Sequence, residues 1–126
     1  FQKGLGCVHS LSHSLGGVDP RLHHGSLNAL FLPAVVRFNA EAASVQKEHR
    51  LDRMAQAMGL ATGSDIPEAI QAMNARLGLP SGLAAVGVTE SQFKAVIDGA
   101  MADHCHLTNP RIATRDDYQR MLLESM

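Results

Sequence analysis

The chain has 126 residues, of which 45% are hydrophobic and 18% are charged, and its formal net charge is −1. This length suits one domain with a real core, and the composition is typical of a globular protein rather than a disordered one. The near-neutral charge argues against nucleic acid or an anionic membrane as a partner, and no apolar run approaches the roughly 20 residues that span a bilayer. The two cysteines, Cys7 and Cys105, are too few and too far apart for a disulfide framework, so we expect a cytoplasmic protein.

Helical periodicity dominates the chain, and helix-stopping residues divide it into about six predicted helices without a strand signal. The first helix is predicted from Gln2 to Leu15, where the pair Gly16-Gly17 would end it. The second is predicted from Ser26 to Ala43, with Pro33 as a kink or a tight first turn. The third is predicted from Gln46 to Met58.

The second half of the chain has clearer boundary signals. The fourth helix is predicted to start after a cap at Ser64 or Asp65 and to end at Gly78. The segment Thr89–Gln92 is a capping box that opens the fifth helix, and the last helix begins at about Arg115. Helices joined by moderate connections predict a single all-α domain.

Four of the seven histidines fall within sixteen residues: His9, His13, His23 and His24. Neutral imidazole is the commonest transition-metal ligand, and residues four apart on a helix project from one face. A turn at Gly16-Gly17 would return His23 or His24 toward that face. Two ligands from different elements with a third group nearby is the geometry of an open catalytic metal site. Spacing alone leaves a solvated or hydrogen-bonded histidine face as the alternative.

The residues around these histidines form a longer motif. It runs from Gly6 to Gly17 as GCVHSLSHSLGG and resumes from His24 to Asn39 as HGSLNALFLPAVVRFN. This motif resembles the iron-containing alcohol dehydrogenase family, which carries two histidines four apart, a Leu-Gly turn, then His-Gly, Asn-Ala, Leu-Pro-x-Val and a closing Asn. Asp103 and the run TNPR at residues 108–111 also resemble the closing motif of that family. The resemblance covers nearly the whole chain and is most specific in the first 39 residues.

The resemblance implies specific roles for three of the histidines. It assigns metal binding to His9 and His24, and it places His13 between the metal and the nicotinamide, in catalysis or proton relay. The His-Gly pair comes one residue later than in the commonest form of the motif, so His23 stays an alternative to His24. The other two metal ligands of the family, an Asp and a His on an upstream helix, have no counterpart in this sequence.

The resemblance also implies what the chain belongs to. We expect residues 1–126 to be an all-α, C-terminal helical domain of the dehydroquinate synthase-like/iron alcohol dehydrogenase type, taken from a metal-dependent alcohol dehydrogenase. The expected substrates are an alcohol and its aldehyde or ketone, and the expected metal is Fe²⁺, with Zn²⁺ as the alternative. NAD(P) would bind mainly to an N-terminal nucleotide-binding domain that is absent from this sequence. Alone, the chain would be inactive, and its uncovered apolar face would favour a homo-oligomer.

Two other functions stay open at this point. One is a maleylacetate-reductase-like enzyme, and the other is a stand-alone helical metal-binding or interaction module. The run His104-Cys105-His106 contains metal-ligating residue types, but consecutive helical positions face different directions, so we predict structural roles for it. Four methionines on apolar helix faces are predicted to fill the core: Met54, Met58, Met73 and Met101.

Overall fold

The computed structural model describes residues 4–126, which contain seven α-helices and no strand. The helices are α1 Cys7–Val18, α2 His24–Ala40, α3 Ala43–Lys47, α4 Arg50–Ala57, α5 Ile66–Arg76, α6 Phe93–Ala102 and α7 Arg115–Glu124. Four short 3₁₀ turns lie at Gly63–Asp65, Ala84–Val86, Glu90–Gln92 and His104–Thr108. The all-α prediction is therefore confirmed for the described residues, and none of their helices has the length and hydropathy needed to cross a bilayer.

Helix α1 differs from its prediction at both ends. The predicted start, Gln2, lies outside the described residues, and the helix begins at Cys7. It also continues through Gly16-Gly17 to Val18, so the predicted glycine stop was wrong. The helix ends instead before Asp19, whose backbone is extended because the ring of Pro20 disfavours the helical conformation in the preceding residue.

The middle of the chain has one more helix than the sequence predicts. Helix α2 continues past Pro33 but ends at Ala40, three residues before the predicted end. The predicted third helix is split into α3 and α4 at His49, whose φ of 49° is left-handed. A non-glycine residue in that conformation interrupts the helical hydrogen-bond pattern, so two helices stand where one was predicted.

Capping residues set the later helix starts. At Thr114 the side chain accepts a hydrogen bond from the Asp117 N–H at 3.2 Å, and the carboxylate of Asp117 accepts one from the Thr114 N–H at 2.9 Å. The capping box at Thr89–Gln92 is confirmed and leads through a 3₁₀ turn into α6. Asp65 does not cap α5 with its side chain; its carboxylate accepts the N–H of Thr62 at 3.0 Å and forms a box around the preceding turn.

The main core joins α1, α2, α6 and α7, and a smaller cluster joins α4 and α5 to α2. The largest fully buried side chains include Tyr118, Phe31, Leu11 and Leu15. Three of the methionines predicted as core fillers are 41–47% exposed: Met54, Met58 and Met73. That prediction was wrong for those three, whereas Met101 packs against the main core.

Helices α1 and α6 approach each other closely where Gly99 faces Ser14. The Ser14 hydroxyl donates to the Val96 carbonyl of α6 at 2.6 Å. A Cβ at residue 99 would overlap the Ser14 side chain, so the absence of a side chain at Gly99 allows this spacing. Close to this contact α1 carries His13 and the end of α6 carries Asp103, so the spacing of the two helices sets the distance between these residues.

Candidate metal centre

Three imidazole rings meet where α1 packs against the start of α2. The ring centroids of His9 and His13 are 5.6 Å apart, those of His9 and His24 are 5.5 Å apart, and those of His13 and His24 are 5.3 Å apart. His23 precedes α2, is exposed, and has its ring beside the backbone of Gly25. The structure thus groups His24, and not its neighbour, with the pair on α1.

The geometry of the group follows from local structure. His9 and His13 are one turn apart on α1, as the spacing predicts. The connection to α2 is fixed by the carboxylate of Asp19, which accepts hydrogen bonds from the Arg21 guanidinium at 2.9 and 2.7 Å. This short turn sets His24 as the first residue of α2, next to the histidine face of α1.

A polar side chain holds the ring of His24. The Asn28 amide, one turn further along α2, donates to His24 Nε2 at 3.0 Å, and the Ser12 hydroxyl donates to the Asn28 carbonyl oxygen. His24 Nε2 therefore carries a lone pair and its Nδ1 carries the proton. A metal ion at Nε2 would take the place of the amide donor.

Asp103, at the end of α6, contacts the second histidine of the pair. Its Oδ2 lies 3.0 Å from His13 Nδ1, and its Oδ1 accepts the Cys105 backbone N–H at 2.7 Å. Burial by itself raises the pKa of Asp103, but the Cys105 N–H and His13 outweigh it and hold that pKa below the usual value. The carboxylate is therefore ionised at neutral pH and accepts a hydrogen bond from His13 Nδ1–H, so Nε2 is the accepting nitrogen whenever the ring is neutral.

The protonation state of His9 also suits a ligand. Burial lowers the pKa of His9, and the neighbouring His13 and His24 lower it further, against an opposing effect of Asp103. Neutral imidazole nitrogens beside a carboxylate are a donor set that fits Fe²⁺, Zn²⁺ and similar divalent ions. The residues present thus fit a transition-metal site, to which this chain would contribute two or three ligands.

The segment after α6 places its three metal-ligating side chains in different environments. The ring of His104 is exposed, whereas His106 is buried and its Nδ1 lies 2.9 Å from the Tyr118 hydroxyl. Cys105 is buried and faces Asp103 and His13. The predicted divergence holds for His106 but not for His104, whose Nε2 lies 3.5 Å from Cys105 Sγ. The sequence also did not indicate that Asp103 and Cys105 would reach His13 on α1.

The residues of the TNPR motif fasten the start of α1 to the end of α2. The buried Asn109 accepts the Cys7 N–H at 3.1 Å and donates to the Asn39 side chain at 2.7 Å and to the Arg111 carbonyl at 2.6 Å. The Arg111 guanidinium lies 4.2 Å from the ring centroid of Phe38. These contacts fix the first turn of α1, which carries His9, so the motif positions the site without entering it.

Two open clefts flank α2. One, of about 540 Å³, lies between the start of α1 and α2 and has His9, Asn28 and Asn39 on its walls. The other, of about 660 Å³, lies between α2 and α4 and contains His49 but none of the clustered histidines. Of these two clefts, the smaller one reaches a histidine of the cluster.

Comparison with known proteins agrees with this arrangement. The model of the family described as "Fe-containing alcohol dehydrogenase family, C-terminal" matches residues 2–126. The chain is 58% identical over 130 residues to the 4-hydroxybutyrate dehydrogenase of Cupriavidus necator, with 100% of this chain and 34% of that protein covered. It is 35% identical over 127 residues to the NAD-dependent methanol dehydrogenase of Bacillus methanolicus, with 98% of this chain and 33% of that protein covered.

A solved structure of a 1,3-propanediol oxidoreductase has the same fold. It superposes with a TM-score of 0.84 at 28% identity, over 97% of this chain and 33% of that one. The chain therefore spans about a third of the length of the relatives it matches.

Proposed function

The chain belongs to the Fe-containing alcohol dehydrogenase family, and on that basis we propose that it is the helical C-terminal part of an NAD(P)-dependent alcohol dehydrogenase. The observation that carries this proposal is the convergence of His9, His13 and His24 at 5.3–5.6 Å between ring centroids. The share of the relatives that the chain covers supports a second, N-terminal domain that binds the nucleotide and completes the metal site. The cytoplasm is the proposed location.

In this proposal His9 and His24 bind the metal through neutral ring nitrogens. A divalent metal, Fe²⁺ or alternatively Zn²⁺, supplies Lewis acidity toward an alcohol oxygen when it is bound. Asn28 holds the ring of His24 through Nε2 until the metal takes the place of its amide donor. The lowered pKa of His9 supports its role, because a neutral imidazole binds metal without first losing a proton.

His13 is the proposed proton-transfer residue. Its Nδ1–H donates a hydrogen bond to the Asp103 carboxylate, and its Nε2 accepts a proton from the alcohol side of the reaction. At 36% side-chain exposure His13 is accessible to substrate, unlike a histidine locked in the core. The 58% identity with the Cupriavidus enzyme makes a terminal hydroxy acid such as 4-hydroxybutyrate the first substrate to assay.

The experiment is an assay of the enzyme encoded by the complete reading frame, with metal content and NAD(P)H formation measured on the same samples. We expect His9→Ala and His24→Ala to lower bound iron and activity together, by at least about 100-fold in metal affinity. His23→Ala is the matched control and should keep both. His13→Ala should keep the metal but lower kcat by about 10²–10⁴, the range for loss of a general acid–base group.

Three results would change the proposal. Loss of metal in His23→Ala with its retention in His24→Ala would move the ligand by one residue. Reduction of maleylacetate with no alcohol oxidation would favour the reductase branch. A reading frame with no upstream nucleotide-binding domain would favour a stand-alone helical module instead.

A further inference from the structure

Among the described residues, one compact group of three potential metal ligands differs from His9 and His24, the ligands implied by the family motif. It consists of His13, Asp103 and Cys105, whose ligand atoms all lie within 4.8 Å of one another. The group joins α1 to the turn that follows α6, across 90 residues of sequence. It combines the three donor types, nitrogen, oxygen and sulfur, in one place.

Asp103 is the centre of this group. One of its oxygens lies 3.0 Å from His13 Nδ1, and its other oxygen accepts the Cys105 backbone N–H at 2.7 Å. Its side chain is 15% exposed, and Cys105 is 0% exposed. The backbone contact fixes the orientation of the carboxylate, so the oxygen that meets His13 is held in place before any ion arrives.

The spacing suits a tetrahedral ion. Zinc bonds of about 2.0–2.3 Å to nitrogen, oxygen and sulfur put neighbouring ligand atoms roughly 3.3–3.8 Å apart. The present separations of 3.0 Å to at most 4.8 Å bracket that range, so side-chain shifts of about 1 Å complete the geometry. Three protein ligands leave a fourth position for water or for His104, whose Nε2 is 3.5 Å from Cys105 Sγ.

We propose that His13, Asp103 and Cys105 form a second metal site, separate from the His9 and His24 ligands, which binds a thiophilic divalent cation such as Zn²⁺. The sulfur ligand gives this site its selectivity. Thiolate and imidazole favour zinc and cobalt, whereas the imidazole and carboxylate ligands of the family site have no sulfur and also accept Fe²⁺.

Loading this site has a chemical cost and a functional consequence. Burial raises the pKa of the Cys105 thiol to about 11, so the entering ion displaces the thiol proton and the Nδ1 proton of His13, and two protons are released to solvent. If the proposed function holds, an ion on His13 Nδ1 breaks the contact with Asp103 that orients this ring. Zinc would then inhibit the enzyme at a site distinct from its catalytic metal.

The test is titration of the 126-residue chain with Co²⁺, because sulfur-bound cobalt has a near-ultraviolet charge-transfer band that nitrogen- and oxygen-bound cobalt lacks. We expect the band in the wild type and its loss in Cys105→Ser. Cys7→Ser is the matched control, since Cys7 is equally buried but lies outside the group, and it should keep the band. Asp103→Asn should weaken cobalt binding, followed by this band, by at least about tenfold.

A double variant, His9→Ala with His24→Ala, separates this site from the family site. The band should persist in it with unchanged affinity, so failure of the proposed function leaves the result intact. X-ray absorption of the zinc-loaded wild type needs no variant and should show one sulfur neighbour at about 2.3 Å. Zinc bound without a sulfur neighbour, a band lost with Cys7→Ser, or a band lost in the double variant would each overturn the proposal.

Discussion

Asn109→Ala tests how strongly the contacts of the TNPR motif stabilise the fold that carries the site. The side chain is 6% exposed and makes three hydrogen bonds, to the Cys7 N–H, the Asn39 carboxamide and the Arg111 carbonyl. Each such bond contributes about 1 kcal/mol. The substitution also leaves the buried Cys7 N–H at the start of α1 without an acceptor, which costs roughly another 1 kcal/mol. We expect the free energy of unfolding to fall by about 2–4 kcal/mol.

Asn74→Ala is the matched control for this prediction. Asn74 is 8% exposed but makes one hydrogen bond, from its amide to the Ala29 carbonyl at 2.9 Å, away from the histidines. Urea unfolding followed by circular dichroism should show a loss of about 1 kcal/mol in that variant. Equal losses in the two variants, within about 0.5 kcal/mol, would refute the additive account of the Asn109 contacts.

Four further substitutions have directions set by the backbone and by charge. Gly16→Ala should stabilise the chain by about 0.5–1 kcal/mol, because it adds a better helix former where nothing lies within 4 Å; a thermal midpoint at or below that of the wild type would contradict this. Gly99→Ala should destabilise by about 1–3 kcal/mol in urea, since its Cβ overlaps Ser14; an unchanged midpoint would mean that α6 shifts freely. His49→Gly should raise the free energy of unfolding by about 1 kcal/mol, because glycine adopts the left-handed conformation without strain; an unchanged free energy of unfolding would contradict this. Burial raises the pKa of Asp117, but hydrogen bonds at the start of α7 more than offset this and leave that pKa below its unfolded value near 3.9. The stability that Asp117 contributes is therefore present above about pH 4 and lost as pH falls through the folded pKa. Asp117→Asn should make the free energy of unfolding fall less steeply at acid pH. Parallel curves of this free energy against pH for the variant and the wild type would contradict the role of Asp117.

The helix boundaries that the sequence predicted correctly are those set by local chemistry. Thr89 and Thr114 cap because a hydroxyl precedes a residue that can reach back to its N–H, and both partners lie within four residues. The helix end predicted at Gly16-Gly17 was wrong, because glycine permits a helix to end but does not require it. The break at His49 is marked by no glycine or proline; histidine adopts the left-handed conformation more readily than most residues, but nothing in the sequence requires it at this position.

The candidate site likewise contains residues that local sequence patterns predicted and residues whose contacts depend on tertiary packing. The pairing of His9 with His13 follows from helical periodicity, and the preference for His24 came from the motif anchored at Gly25. Asp103 was assigned to the closing motif without a role, and Cys105 was given a structural one. Their contact with His13 depends on how α1 packs against α6, a tertiary property that no spacing within either segment encodes.

That packing is controlled by a small residue one helical turn from the carboxylate. Gly99 lies four residues before Asp103 on α6, and Ser14, which it touches, directly follows His13 on α1. A 3.0 Å contact between His13 and Asp103 is lost if the helices separate by much more than about 0.5 Å, the tolerance of a hydrogen bond. The helix spacing that Gly99 permits is therefore a condition for the orientation of His13 and for the assembly of the proposed sulfur-containing site. Both depend on the same interface and on the same atom, His13 Nδ1, so the two states exclude each other.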